Sequence, residues 1–182
     1  DALHAEPALR HVLVRHEQAA VHAAQGYARA TGRLGVVFVT SGPGVANTTS
    51  GLLDALCDST PVLCVSGQVA TSAIGTRAFQ ECDALGISAP VTKWNAQVRP
   101  DDDVAELVRQ AIAAATTGRP GPVLIDFPKD LQAAPAKVRR LRAARAPLRP
   151  SGTHLGDVVR QSIRQAARWI AEARQPVFYG GG

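Results

Sequence analysis

Three short apolar runs constrain this chain more than any other feature: GVVFVT (35–40), PVLCVSG (61–67) and GPVLIDFP (121–128). All three are rich in Val, Leu and Ile and lack the apolar–polar alternation of a half-exposed sheet. A continuous run suits a strand covered on both faces, as in a parallel sheet. Between the runs lie EQAAVHAAQGYARAT, GVANTTSGLLDALCDS and DDDVAELVRQAIAAATTG, which have helical spacing. The last is the clearest. Asp101 to Asp103 give it an acidic start, Val104, Leu107, Val108, Ala111 and Ile112 form an apolar stripe, and Gly118 and Pro120 end it. Alternating strands and helices predict an α/β fold: a doubly wound, mostly parallel sheet flanked by helices.

The alternation covers residues 1–133. A Pro- and Arg-rich linker is expected over 134–155. Residues 156–182 then read as the start of a second α/β domain, with an amphipathic helix in GDVVRQSIRQAARWIAEARQP and a strand and turn in PVFYGGG. The chain begins without Met, mid-pattern, and is expected to be a portion of a longer protein.

Composition narrows the function classes. Hydrophobic residues are 46% and aromatics 4%, so the core is aliphatic and the chain is not of disordered type. The net charge of +5 has a local source: KVRRLRAARAPLRP (137–150) holds Lys137 and five arginines and no acidic residue. No aromatic is interleaved, as a base-stacking surface would require, so a solvated linker and no nucleic-acid partner are expected. No apolar run reaches membrane-spanning length, so no membrane partner is expected. Cys57, Cys64 and Cys82 are an odd count without metal spacing. They predict buried free thiols in a reducing compartment, with the cytoplasm as default unless an import segment was removed.

Ligands of such sheets bind beyond the carboxyl ends of the strands. Three loops fall there: TSGPGVANTT (40–49), SGQVATSAIGTRAFQE (66–81) and DFPKD (126–130). SGPG matches neither common phosphate-binding glycine pattern, and Ser41 is not in a nucleophile elbow. A tight turn and an anion site both remain open for it. His11, His16 and His22 crowd near Glu17, but neighbours on a helix diverge by about 100°, so no metal site is expected. Glu17 opens a helix built almost wholly of small residues, with Tyr27 its one bulky ring. Such a helix can be approached closely by another backbone or by a flat ligand. Glu17 is then either a helix-start charge or a ligand contact.

RHEQAAVHAAQGYARATG, VTSGPGVANTTSGLLDALCDSTPVLCVSGQV, IGTRAFQE, TKWN and GRPGPVLIDFPKD, in that order, resemble the thiamine diphosphate enzyme superfamily. Within it they are similar to the catalytic subunits of acetohydroxyacid (acetolactate) synthase. The resemblance runs from about residue 9 to 132. It implies that 1–133 is the pyrimidine-binding domain, lacking its first strand, and that 156–182 opens the central, FAD-associated domain.

It also implies roles residue by residue. Glu17 hydrogen-bonds a ring nitrogen of the cofactor's aminopyrimidine from a dry pocket, where a carboxyl readily shares its proton. Pro43 and Asn47 line the pyrimidine pocket. Gln80 stands near the thiazolium and substrate, Phe79 lines the substrate channel, and Lys93 stands at the channel mouth. Mg²⁺ and the diphosphate are held by a domain outside this chain. The active site lies between subunits of a homodimer or tetramer, and a regulatory subunit is left open. The implied reaction decarboxylates pyruvate and passes the hydroxyethyl group to a second 2-oxo acid, pyruvate or 2-oxobutyrate, in branched-chain amino acid biosynthesis; the portion alone is expected to be inactive. A sister decarboxylase, oxidase or acetyltransferase of the superfamily is the alternative, and a non-catalytic interaction module a more distant one. Two positions depart from the family pattern: Ala70 stands where Pro is usual, and Arg77 where Asp is usual. Both are expected to alter sensitivity to channel-binding inhibitors.

Overall fold

The structure is a computed structural model that describes residues 2–135 and 156–179. The chain divides into two compact units, residues 1–144 and 145–182. In the first, a short helix α1 (Ala2–Ala5) and an irregular segment lead to α2 (Glu17–Thr31). Then follow β1 (Gly35–Val39), α3 (Pro43–Ala46), α4 (Thr49–Cys57), β2 (Val62–Gln68), α5 (Ala84–Ser88), β3 (Trp94–Gln97), α6 (Val104–Thr116), β4 (Val123–Pro128) and α7 (Lys129–Ala133). The four strands are all parallel, in the order β1-β2-β4-β3.

Side chains alternate across the sheet and feed two cores. Val37, Val62, Cys64 and Leu124 face α2 and α4, where Val21, Ala24, Leu52 and Ala55 meet them. Leu63, Val123 and Ile125 face the other way, against Ala111 and Ala115 of α6. The doubly wound expectation therefore holds, with burial on both faces at β2 and β4. It fails at β1. α6 packs over β2, β3 and β4, and on β1 Val36 and Phe38 stay 49% and 57% exposed. A continuous apolar run does not distinguish an edge strand from a central one.

The small-residue helix is indeed approached closely, by protein. A Cβ placed on Gly51 of α4 would stand 2.8 Å from Val21 Cβ of α2, so glycine is what lets the two helices meet. The buried Gln25 amide donates to Gly51 O across the same contact, at 3.0 Å. His16 caps α2, its Nδ1 accepting from Gln18 N at 3.2 Å, and Gly32 ends it at φ 68°.

Some expectations need correction. The 44–59 stretch is two helices, α3 and α4, separated at Asn47–Thr48, where buried Thr48 turns its hydroxyl onto Val45 O. β3 has no apolar run to announce it. It is an edge strand whose Asn95 bonds Leu85 O and Ser88 Oγ and whose Gln97 bonds Asp126. Cys64 is buried, and burial pushes its thiol up to about 12. Cys57, however, is exposed, because it closes α4 on the side away from the core.

In the second unit, α8 (Asp157–Glu172) is amphipathic, but none of its residues is buried. The expected strand after it is absent from the described residues. Val177, Phe178 and Tyr179 are exposed and unpaired, since a strand needs a neighbour to bond its backbone. The Arg-rich stretch lies outside the described residues. Among those described, no helix is long and apolar enough to cross a membrane.

Candidate functional site

Parallel strands joined by helices place every helix N-terminus at the carboxyl end of the sheet. Glu17, first residue of α2, therefore comes to the loop that follows β1. Asn47 Nδ2 donates to Glu17 Oε2 at 3.0 Å. Glu17 Oε1 lies 3.7 Å from where a Cβ on Gly44 would stand, a space the Thr40 methyl group already crowds at 2.7 Å, so glycine lets α2, the first loop and α3 pack closely here. The Asn47 amide holds the Glu17 carboxyl below the usual carboxylate range, and the site is half-open rather than dry. The described residues do not by themselves close the dry pocket expected around Glu17. Pro43 starts α3 one residue before Gly44 and is exposed.

The second loop closes on the first. Gly42 has φ 61°, and a Cβ there would stand 2.7 Å from Gln80 O. Only glycine gives both the left-handed turn and the room. Gln80 itself has φ 61°, and Phe79 before it is 88% exposed. Glu17, Asn47, the SGPG turn and the Phe79–Gln80 tip thus gather at one end of the sheet.

Lys93 does not join them. It precedes β3, at the amino end, where its stem crosses Gly121 and its Nζ donates to Ala114 O at 2.5 Å and Thr117 O at 2.9 Å. There it neutralises the last carbonyls of α6, and partial burial lowers its pKa. The channel-mouth expectation for Lys93 conflicts with this placement. The lysine at the carboxyl end is Lys129, exposed, directly after β4.

Three carboxylates that the motif reading passed over also stand at this end. Asp126 is fully buried and accepts from Ser66 Oγ (2.9 Å), Gln68 Nε2 (3.1 Å) and Gln97 Nε2 (2.7 Å), which ties β2, β3 and β4 together. Burial raises its pKa. Gln68 Nε2 also donates to Cys82 O at 2.8 Å, so the network reaches the second loop. Asp130 accepts from Thr71 N (3.0 Å) and Thr71 Oγ1 (2.5 Å), and these bonds lower its pKa. Glu81 accepts from the N–H groups of Gly75 and Ala78. An acid inside an apolar strand was the available sign of Asp126; nothing in the sequence marks the partners of Glu81 and Asp130. Among the described residues no group of His, Cys, Asp and Glu is placed to hold a metal ion.

The arrangement presents a half-exposed carboxylate with one oxygen held by Asn47, which suits a ring bearing a hydrogen-bonding nitrogen. Residues 1–87 match the family described as "Thiamine pyrophosphate enzyme, N-terminal TPP binding domain". The whole chain aligns with the acetolactate synthase isozyme 3 large subunit of Escherichia coli, at 47% identity over 186 residues and 32% of that protein. It aligns equally fully with acetolactate synthase of Mycobacterium leprae, at 47% identity and 29% of that protein. The mitochondrial acetolactate synthase catalytic subunit of Saccharomyces cerevisiae is 45% identical, over 27% of its length. The chain thus spans about a third of the curated relatives it matches. The first 87 residues thus match the N-terminal TPP binding domain of thiamine pyrophosphate enzymes, and the whole chain is similar in sequence to part of these acetolactate synthases.

Proposed function

We propose that the chain is the pyrimidine-side portion of an acetolactate synthase, one that decarboxylates pyruvate and transfers the hydroxyethyl group to a second 2-oxo acid, pyruvate or 2-oxobutyrate. The observation that carries this reading is the half-exposed Glu17 carboxylate, held at Oε2 by Asn47 beside the SGPG turn. The fit to an aminopyrimidine is chemical: one carboxylate oxygen is fixed and the other is free to share a proton with a ring nitrogen. When bound, thiamine diphosphate supplies the nucleophilic carbon and the electron sink that 2-oxo acid decarboxylation needs. Glu17 holds the shared proton at Oε1. Asn47 fixes the carboxylate, and Pro43 and Gly44 shape the floor. Once a ring and a second subunit cover the site, lost hydration raises the Glu17 pKa and makes proton sharing easier. Gln80 and Phe79 face the substrate side.

In this reading the chain works in a homodimer or tetramer, and Mg²⁺ and FAD are held mainly by segments beyond it. A regulatory subunit is compatible with it. The cytoplasm is the proposed compartment, although the yeast relative is named mitochondrial. The test uses the complete parent chain with thiamine diphosphate, Mg²⁺ and FAD. Acetolactate formed from pyruvate supports the proposal. Pyruvate consumed without acetolactate moves the protein to a sister activity.

A further inference from the structure

The loop that carries Phe79 and Gln80 is unusual in its backbone. Gly75, Arg77 and Gln80 all lie in the left-handed region, at φ 86°, 60° and 61°. Two of the three are not glycine, and such residues rarely adopt that conformation unless their surroundings hold them. The loop is exposed, so no core does this. The sequence offers no Pro within it.

What holds it is the carboxylate of Glu81. Gly75 N–H donates to Oε1, and Ala78 N–H to Oε2 at 3.0 Å. The N–H groups of Thr76 and Arg77 face the same carboxylate and help to lower its pKa, with Gly75 the largest cause. Successive N–H groups turned toward one point form a concave anion seat. Here the chain fills the seat with its own anion. Glu81 N in turn donates to Ala78 O at 2.9 Å, which closes the turn. The tip left outside the closure is Phe79–Gln80, and the Gln80 backbone lies against Gly42 of the first loop.

We propose that Glu81 is a positioning residue, whose carboxylate, seated among the N–H groups of residues 75–78, holds Phe79 and Gln80 in place against Gly42 on the substrate side of the site. The consequence for substrate rests on the acetolactate synthase reading; the hold on the loop does not. Glu81 touches no reacting atom. It acts by placing Gln80. Glu81→Gln keeps the shape but turns an –NH₂ toward N–H donors, so it removes the anion with little change in volume.

The test compares the complete parent chain with Glu81→Gln by amide hydrogen exchange and by kinetics. Exchange of residues 75–81 should speed up by about tenfold or more, the effect of losing a charge-assisted hydrogen bond. Exchange of α2 and β2 and the thermal midpoint should stay as they were. The KM for the 2-oxo acid should rise by about tenfold, with a smaller change in kcat and in thiamine diphosphate affinity, because the pyrimidine contacts belong to Glu17 and Asn47. Gly42→Ala presses on the tip from the other side and should raise KM in the same way, a second route should Glu81→Gln fold poorly. Unchanged exchange over 75–81 would overturn the proposal. So would faster exchange with unchanged KM, or an unchanged KM in Gly42→Ala. A parent chain inert toward every 2-oxo acid would sink the acetolactate reading, while the exchange result would still decide for or against the hold of Glu81 on its loop.

Discussion

The two ends of the parallel sheet use opposite charges for opposite purposes. At the amino end, helices finish and their last carbonyls need donors. Lys93 serves Ala114 O and Thr117 O at the end of α6. Arg119 serves Leu56 O and Cys57 O at the end of α4, and also Ser59 Oγ. At the carboxyl end, helices begin, backbone N–H groups point outward, and carboxylates answer them. Glu81 takes the N–H groups of Gly75 and Ala78, Asp130 takes the N–H and the hydroxyl of Thr71, and Asp126 ties three strands beneath. The direction of the helix dipole accounts for the cationic end; at the other end the partners are loop N–H groups and side chains. The cationic end secures the fold. The anionic end fixes loops, and one carboxylate, Glu17, stays half-exposed beside the SGPG turn.

Perturbing each end in turn sharpens the contrast. The largest stability loss should come from Asp126→Ala, which strips the common acceptor from Ser66, Gln68 and Gln97 and should cost about 2–4 kcal/mol in chemical denaturation. Asp126→Asn should reveal its titration. Burial, with Asp83 nearby adding to it, raises the folded-state pKa above the ordinary 3.8, against the hydrogen bonds from Gln97, Gln68 and Ser66. The stabilisation from the neutral acid is therefore full below the unfolded value and is lost as pH rises through the folded one. Wild type should gain on Asp126→Asn as pH falls from 7 toward 4; parallel stability curves would contradict this. Lys93→Met should cost less, about 1 kcal/mol, by leaving the α6 carbonyls without their cation. It should leave the KM for substrate within about twofold, and a large KM change would return Lys93 to the channel. Smallest is Arg77→Gly, which should add up to about 1 kcal/mol by relieving a left-handed arginine. Ala70 has φ −56°, a value that proline imposes anyway, so Ala70→Pro should be accommodated without strain.

The sequence made the sheet legible where strands are central. β2 and β4 read as uninterrupted apolar runs because both their faces are covered. The edge strands misled in two ways: β1 looks central but leaves Phe38 exposed, and β3 hides behind polar residues with local partners. RHEQ, SGPG and AFQE do fall at one end of the sheet, but their roles came from a resemblance, since residue chemistry alone left Glu17 open as a helix-start charge and SGPG as a tight turn. Lys93 was misplaced because a motif has no direction. Only the β3 crossover shows that TKWN enters the sheet from the far end. The seat of Glu81 depends on backbone N–H groups, which every residue but proline carries, so no pattern could mark it.

In the proposed reaction Glu17 shares a proton with the bound ring and is not merely a charge at a helix start. The most direct measurement is the turnover of the complete parent chain with Glu17→Gln, beside its thermal unfolding. The expected result is a fall in kcat on the order of 10²–10⁴, the range of a lost acid–base group, with the unfolding midpoint nearly unchanged. Turnover equal to wild type on a working 2-oxo acid would contradict it, and would leave Glu17 as a helix-start charge alone.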